Sequence, residues 1–528
     1  MKPKFFDRFQ PPRCRHDGAP CFHWRLSTVS LLNFHFWVIL IAAFGLLLGG
    51  CNFPSAAEPQ SELNWETMQA SAGTPGAVQT ATPEPIPTRP IYAPGELVDY
   101  TAQTGDTLPQ LAARFNTTVD EILEANPFIP SSATTMPPGM PMKIPIYYTP
   151  FWGSSYRIIP DSLFINGPRM REFDSQAFVA QNPGWLNGYR EYAADANRNA
   201  GEIVDYVATH FSVSPTLLLA LLEYHSGGLT NPQPTEDQRT YPLGYANIAR
   251  KGLYRQLIWT ANALNNGYYG YRTAHLLSIE FDDGREERFD PWLNASTAAL
   301  HYYFNLLFPY EEYQTAISPQ GLALTYRNLF GDPWEQDQPH IPGSLEQPPM
   351  TLPFLPGDAW AYTGGPHTGW GTGEPLAAID FAPPSVATGC SPSEQIVTAV
   401  APGVVVRLDT GEVALDLDGD GDERTGWIVY YLHIATKGRV ALGAKLNTGD
   451  PIGYPSCEGG RTTGTHVHIA RKYNGEWIPA EGVLAFNLDG WIAYNGSRPY
   501  LGYLKRNGVT IIANENANGP SQLKAGPP

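Results

Sequence analysis

Apolar and polar positions change their rhythm several times along this chain. Residues 26–50 are apolar apart from a few small polar residues and His35, and about 20 such residues are enough to cross a bilayer. From 51 to about 94 the chain is Pro, Ala, Thr, Ser and Glu with few large apolar residues, which predicts an unfolded spacer. Leu97-Val98-Asp99-Tyr100-Thr101 then reads as a short strand, and Thr104-Gly105-Asp106-Thr107 as a turn and helix cap. Leu108, Leu111, Ala112 and Phe115 fall at helical spacing, and Thr118 with Glu121 caps a second short helix. Met142-Lys143-Ile144-Pro145 is a return strand, making 95–147 a βααβ unit. Helical spacing dominates about 155–335: Ile203, Val204, Val207 and Phe211 mark one amphipathic helix. Ser214-Pro215 opens a strongly apolar one, where proline in the first turn loses no hydrogen bond. Beyond Pro356 short β-rich runs follow, among them Ile396-Val397-Thr398-Ala399-Val400, Gly403-Val404-Val405-Val406-Arg407 and Trp427-Ile428-Val429-Tyr430-Tyr431-Leu432. The expected fold is multidomain: a small βααβ unit, a mainly α middle and a mainly β, antiparallel region over 356–505. Residues 506–528 read as a flexible tail.

Composition sharpens this picture. A length of 528 residues implies about three or four folded units, and 50 prolines with 51 glycines favour loops and turns over long bundles. The formal charge is −17; residues 1–50 carry six basic and two acidic side chains, and without that +4 the remainder stands at −21. Such a surface argues against nucleic acid, which selects for clustered Lys and Arg. It also lends no electrostatic help toward an anionic cell wall.

The basic stretch to Arg25, the apolar run and Leu48-Gly49-Gly50-Cys51 resemble the leader and lipobox of bacterial lipoproteins. The resemblance implies a signal peptide over 1–50, cleavage before Cys51 and lipidation of its thiol. An uncleaved transmembrane anchor is the alternative, and both place the rest of the chain outside the cytoplasm, in the cell envelope. Cys14 and Cys21 belong to the leader, so Cys390 and Cys457 remain. Both are flanked by turn residues in an oxidising space and are expected to form a disulfide, two buried thiols being the other reading.

The βααβ unit resembles a LysM domain through Tyr100…Gly105-Asp106-Thr107-Leu108, Ala112…Phe115 and Ile122…Asn126-Pro127. That implies binding of N-acetylglucosamine-containing glycans, with Gly105, Asp106, Thr107 and Asn126 in the two loops concerned. A small structural domain with a dead groove is the bland reading. In the middle region, Ser212-Val213-Ser214-Pro215…Leu222-Glu223-Tyr224-His225-Ser226-Gly227 is similar to the start of lysozyme-like lytic transglycosylases, whose catalytic Glu precedes the Ser. Here His225 stands in that place, and Glu223 is rotated by roughly 200° around the helix. A lysozyme-like fold without that catalysis is the expectation.

Twelve histidines occur in the chain, and after His340 only His367, His433, His466 and His468 remain. In a strand, His466 and His468 share a face, about 7 Å apart. His433 ends a preceding β-run, and His367 and Asp380 lie in Gly364-Gly365-Pro366-His367 and Ala378-Ile379-Asp380-Phe381-Ala382. A catalytic zinc takes three N or O ligands and keeps one position open. These segments resemble the M23 (lysostaphin/LytM-like) zinc endopeptidases. The resemblance implies one Zn²⁺ per chain on His367, Asp380 and His468, His466 as general base, His433 stabilising the oxyanion, and peptidoglycan cross-links as substrate. The family's first motif commonly keeps His and Asp a few residues apart, whereas here twelve residues, 368–379, intervene. Without a working metal site the alternatives are an inactive LytM-like regulator or a glycan-binding envelope scaffold. Asp416, Asp418 and Asp420 with Gly421 match the first half of a calcium loop, but position 12 is Trp427, and a solvated acidic hairpin is the favoured reading.

Overall fold

The computed structural model describes residues 89–147, 152–384, 388–517 and 519–526. The leader, Cys51 and most of the expected spacer lie outside the described residues. Among the described residues no helix is long and apolar enough to cross a membrane. The last residues assigned to the spacer are held: Arg89 donates to both Asp290 oxygens at 2.8 and 3.2 Å and lies 4.1 Å from the Trp292 ring centroid.

The βααβ unit forms around Leu111, Phe115, Ile122 and Ile144. Its strands Glu96–Thr101 and Pro141–Ile146 pair antiparallel without a register shift. Thr118 and Glu121 form the reciprocal cap on Val119–Ala125. Thr107 precedes Leu108–Phe115 in extended backbone but makes no side-chain cap bond.

The middle region is mainly helical. Pro215–Ser226 is buried along most of its length, stopped by Gly227 in left-handed backbone whose N–H bonds Glu223 O at 2.8 Å. Around it pack Ala200–Phe211, Leu253–Arg272, Ala295–Asn305 and Leu322–Phe330. Arg272, buried at the end of its helix, donates to Thr104 O at 2.6 Å, Tyr268 Oη at 2.9 Å and Asp161 Oδ2 at 3.0 Å, and lies 3.4 Å from Glu476 Oε1. One guanidinium thereby joins the βααβ unit, the helices and the C-terminal sheet, its charge met by two carboxylates. Gly105 passes beneath it with φ +72°; a Cβ there would stand 2.8 Å from the guanidinium carbon.

The C-terminal region is an antiparallel sheet. Its spatial order is Lys445–Leu446, Gly403–Asp409, Glu412–Asp416, Trp427–Leu432, Val467–Tyr473, Ala378–Ala382, Ala359–His367 and Gln522–Lys524, with Glu476–Trp477 paired beside Val467–Tyr473. Period two decides which side each residue serves. Val429, Tyr431, Val467, Ile469, Ile379 and Phe381 join the sheet's own core. Tyr430, Leu432, Ala470 and Ala378 pack into the core of the helical region. Both faces are thus covered, which is why Trp427–Leu432 reads as an unbroken apolar run.

The flexible tail expected at 506–528 is corrected by the structure. Val509–Ile512 pairs with Gly502–Arg506 in a second, four-stranded sheet. Gln522–Lys524 extends the main sheet beside Ala359–His367, with Leu523 buried. A three-residue strand with one large apolar residue carries too little period-two signal to be seen in sequence.

Candidate metal centre

Four neighbouring strands or strand ends supply the five residues singled out above. His468 lies opposite Asp380 in the ladder between Val467–Tyr473 and Ala378–Ala382, and opposite Leu432 on the other side. His433 follows Leu432 directly, in left-handed backbone at φ +67°. His367 ends Ala359–His367, where two register shifts bring it back toward Asp380 despite the long intervening segment. Gly364 faces Asp380 across the same ladder, and a Cβ on it would stand 2.3 Å from Asp380 Oδ2. The glycine is there because the carboxylate needs the room.

His367 Nε2 is 3.0 Å from His468 Nδ1 and 3.2 Å from Asp380 Oδ1, and His468 Nδ1 is 3.4 Å from the same oxygen. The other ring nitrogens are spoken for. His367 Nδ1 donates to Gly365 O at 2.8 Å and His468 Nε2 to Gly369 O at 3.2 Å. In the neutral rings both facing nitrogens therefore carry lone pairs, and both face a buried carboxylate oxygen that has no hydrogen-bond partner. Three acceptors packed this closely repel one another unless a cation lies between them. Ligands about 2.0–2.1 Å from a tetrahedral zinc would stand roughly 3.3 Å apart, and the three separations bracket that value. The donor set fits a metal ion, with the carbonyls fixing ring orientation from behind.

His466 is less buried than the other three imidazoles. Its Nδ1 donates to Gly464 O at 2.8 Å, leaving Nε2 3.7 Å from Asp380 Oδ1. His433 donates from Nδ1 to Glu458 O at 3.0 Å, and its ring centroid is 4.5 Å from that of His466. Burial pushes the His433 pKa down to about 3, with His466 and His468 adding to the effect. A neutral His433 so oriented presents an accepting Nε2, so it can donate to an oxyanion only after it has itself taken up a proton. The disulfide Cys390–Cys457 ties the loops beside this rim, where Thr465 Oγ1 donates to Ser391 O at 2.6 Å. Sequence reasoning missed Tyr500, whose ring stacks on His367 at 4.1 Å and 21°. No motif marks it.

The segment 368–379 does loop out, and it lands on the helical region. Thr372 N and Glu374 N donate to the side-chain oxygens of Asn262 and Asn266, each at 2.7 Å. These asparagines are one helical turn apart on Leu253–Arg272. Trp370 lies 5.0 Å from the His210 ring and 6.0 Å from Tyr430.

The residues expected to contact glycan are placed differently. Asp106 is buried and accepts from Tyr100 Oη (2.6 Å), Gln103 N (2.7 Å) and Arg114 Nη1 (3.0 Å). Asn126 is buried and bonds Ile122 O, Lys143 O and Lys143 N. Both side chains are spent on holding the unit together, and Gly105 and Thr107 lie under Arg272 or buried. Residues 341–345 run across the neighbouring loops. Ile341 N donates to Thr104 Oγ1 at 2.9 Å, Thr135 Oγ1 to Pro342 O at 2.7 Å, and Thr134 Oγ1 to Leu345 O at 2.6 Å. In the middle region, burial drives the His225 pKa down to about 3, and its ring meets Tyr303 Oη at 3.0 Å. Glu223 caps the following turn through Leu229 N, Thr230 N and Thr230 Oγ1. Asp416 accepts from the N–H groups of Asp418, Gly419 and Gly421, while Arg171 and Arg424 neutralise Asp420 and Asp422.

Comparison with known proteins bears on each region. Residues 100–145 match the LysM domain, and residues 157–342 match the family described as LasA, N-terminal domain. The lysozyme-like expectation for the middle region thus finds no support, although its helical character does. Protease LasA of Pseudomonas aeruginosa strain UCBPP-PA14 is 28% identical over 346 residues, covering 61% of this chain and 75% of the relative. Its counterpart in strain PAO1 is 27% identical over 339 residues, with the same coverage. Among solved structures, the M23 metalloprotease pseudoalterin is 24% identical, covering 31% of this chain and 94% of its own at a TM-score of 0.27. The catalytic domain of lysostaphin from Staphylococcus simulans is 21% identical, covering 23% and 87% at 0.17. This chain is thus similar to protease LasA over 61% of its length and carries a match to the LysM domain, and its histidine and aspartate motifs resemble those of M23 peptidases.

Proposed function

We propose that this protein is an exported, membrane-anchored zinc endopeptidase that cuts peptide cross-links of peptidoglycan. The observation that carries the reading is the convergence of His367 Nε2, Asp380 Oδ1 and His468 Nδ1 on one point, with His466 and His433 alongside. These three atoms would hold the ion, one per chain at this site. Zinc, when bound there, supplies Lewis acidity toward a carbonyl and acidifies a water molecule.

The chain's own groups do the rest. His466 offers an accepting Nε2 beside Asp380, and Gly464 O holds its ring so that this nitrogen faces the site. It takes the proton of the attacking water. His433, held by Glu458 O, is the partner that becomes a donor when a proton reaches its Nε2, and then steadies negative charge on the substrate. Tyr500, stacked on His367, keeps that ring in place and walls the site with an apolar surface.

The leader and Cys51 support export and a lipid anchor, and the LysM domain supports retention on wall glycan. Because Asp106 and Asn126 are spent internally and residues 341–345 cover the adjacent loops, glycan contact falls to other atoms of those loops. The acidic hairpin at Asp416–Asp422 enters as a turn whose carboxylates are met by backbone N–H groups and by Arg171 and Arg424, the reading favoured over a calcium loop.

Digestion of purified sacculi tests the reading, with the released peptides identified by mass. Peptide-bond cleavage that is lost with a strong zinc chelator, restored by zinc, and absent in His468→Ala supports it. Intact cross-links under all conditions would leave the inactive regulator or the glycan-binding scaffold.

A further inference from the structure

A second histidine–carboxylate cluster lies where the helical region meets the sheet. His210 is in the last turn of Ala200–Phe211. Asp409 and Glu412 flank the turn Thr410-Gly411 and are direct partners across the ladder of that hairpin. His210 and Glu412 are buried, while Asp409 is part-exposed. His210 Nδ1 is 2.7 Å from Tyr206 O, so its proton is there. Nε2 in the neutral ring then carries a lone pair, is buried and without a hydrogen-bond partner, and faces Glu412 Oε2 at 3.4 Å and Asp409 Oδ2 at 3.7 Å.

Those separations resemble the ones at the first centre. A contact ion pair between histidine and carboxylate exists elsewhere in this chain: His340 Nε2 and Glu476 Oε2 are 2.7 Å apart. The His210 cluster is held wider, like Asp380 with His367 and His468 at 3.2 and 3.4 Å. Two of its members are anchored from behind, His210 by Tyr206 O and Asp409 Oδ1 by Thr410 N at 2.6 Å, while Arg407 donates to the Glu412 oxygen that faces His210. Outer partners of this kind orient the ligands of metal sites. Asp409, Glu412 and Glu423 gather here with Arg407, which pairs with Glu412 and Glu423, Arg439, which donates to the main-chain carbonyls of Asp409 and Glu412, and Lys472, whose ammonium bonds Thr209 O at 3.2 Å.

We infer that His210, Asp409 and Glu412 form a second metal site, taking a first-row divalent cation such as zinc and fastening the helical region to the sheet. One imidazole and two carboxylates suit such an ion. The site stands independently of the peptidase reading. It does touch it in space, because the His210 ring packs on Trp370, and Trp370 follows Gly369, whose carbonyl holds His468.

The test is metal stoichiometry on the full chain, equilibrated with zinc and then freed of loose metal by gel filtration. Elemental analysis of the wild type should give two equivalents. His468→Ala should give one, retained at this junction, and Asp409→Asn should give one, retained at the other centre. His210→Gln should repeat the Asp409→Asn result, with circular dichroism confirming that both variants fold. Cobalt substitution adds a second readout, as His468→Ala and Asp409→Asn should each remove a different part of the visible spectrum. A single equivalent in the wild type that disappears entirely in His468→Ala overturns the proposal, leaving His210 as the cationic member of an ion pair. Two equivalents unaffected by Asp409→Asn and His210→Gln overturn it equally. Failure of the first site instead shows as His468→Ala retaining all its metal.

Discussion

The LysM domain and the sheet centre both hold buried polar side chains that the sequence marks as functional, and they treat them in opposite ways. Asp106 accepts three hydrogen bonds, and Asn126 is bonded at both ends of its amide. Asp380 keeps an oxygen without a hydrogen-bond partner among imidazole lone pairs. A motif residue whose capacity is filled by its own fold is a structural member. One whose capacity is left open, at the cost of burying it, is kept for something outside the chain.

The comparison breaks most severely at the proton-handling imidazole. His466→Ala should retain metal at the centre yet lower the rate of peptide release from sacculi by about 10²–10⁴; full activity would remove His466 from the reaction. Next in size is Asp106→Ala, which strands the buried Arg114 guanidinium and should cost about 3–5 kcal/mol in urea unfolding. A loss of glycan binding with unchanged stability would reverse the assignment of Asp106. Gly364→Ala forces a Cβ against Asp380 and should weaken zinc affinity by about 10–100-fold, measured by competition with a chelator. Unchanged affinity would mean that Asp380 is not a ligand. The mildest is Asn262→Ala, which releases one anchor of the 368–379 segment. It should cost about 1 kcal/mol of stability and raise proteolytic nicking there.

Much of this was legible beforehand. Trp427–Leu432 is an unbroken apolar run because both faces of its strand are covered, and His466 and His468 share a face because strands repeat every second residue. The cap at Thr118 and the proline opening Pro215–Ser226 are local chemistry and read locally. What escaped depends on partners far along the chain. Nothing near 372 or 374 announces Asn262 and Asn266. Asp106 looked like a binding residue because its partner Arg114 sits on the next helix, and sequence gives no angle for that side chain. His210, Asp409 and Glu412 are brought together only by the packing of a helix end on a hairpin turn. Leu523 was invisible because one apolar residue is not a pattern.

Arg272 carries a consequence for how the protein works at a distance. A single planar side chain touches all three regions, so the first of them does not swing on a leash. Whatever that region grips is presented to the sheet at one fixed offset.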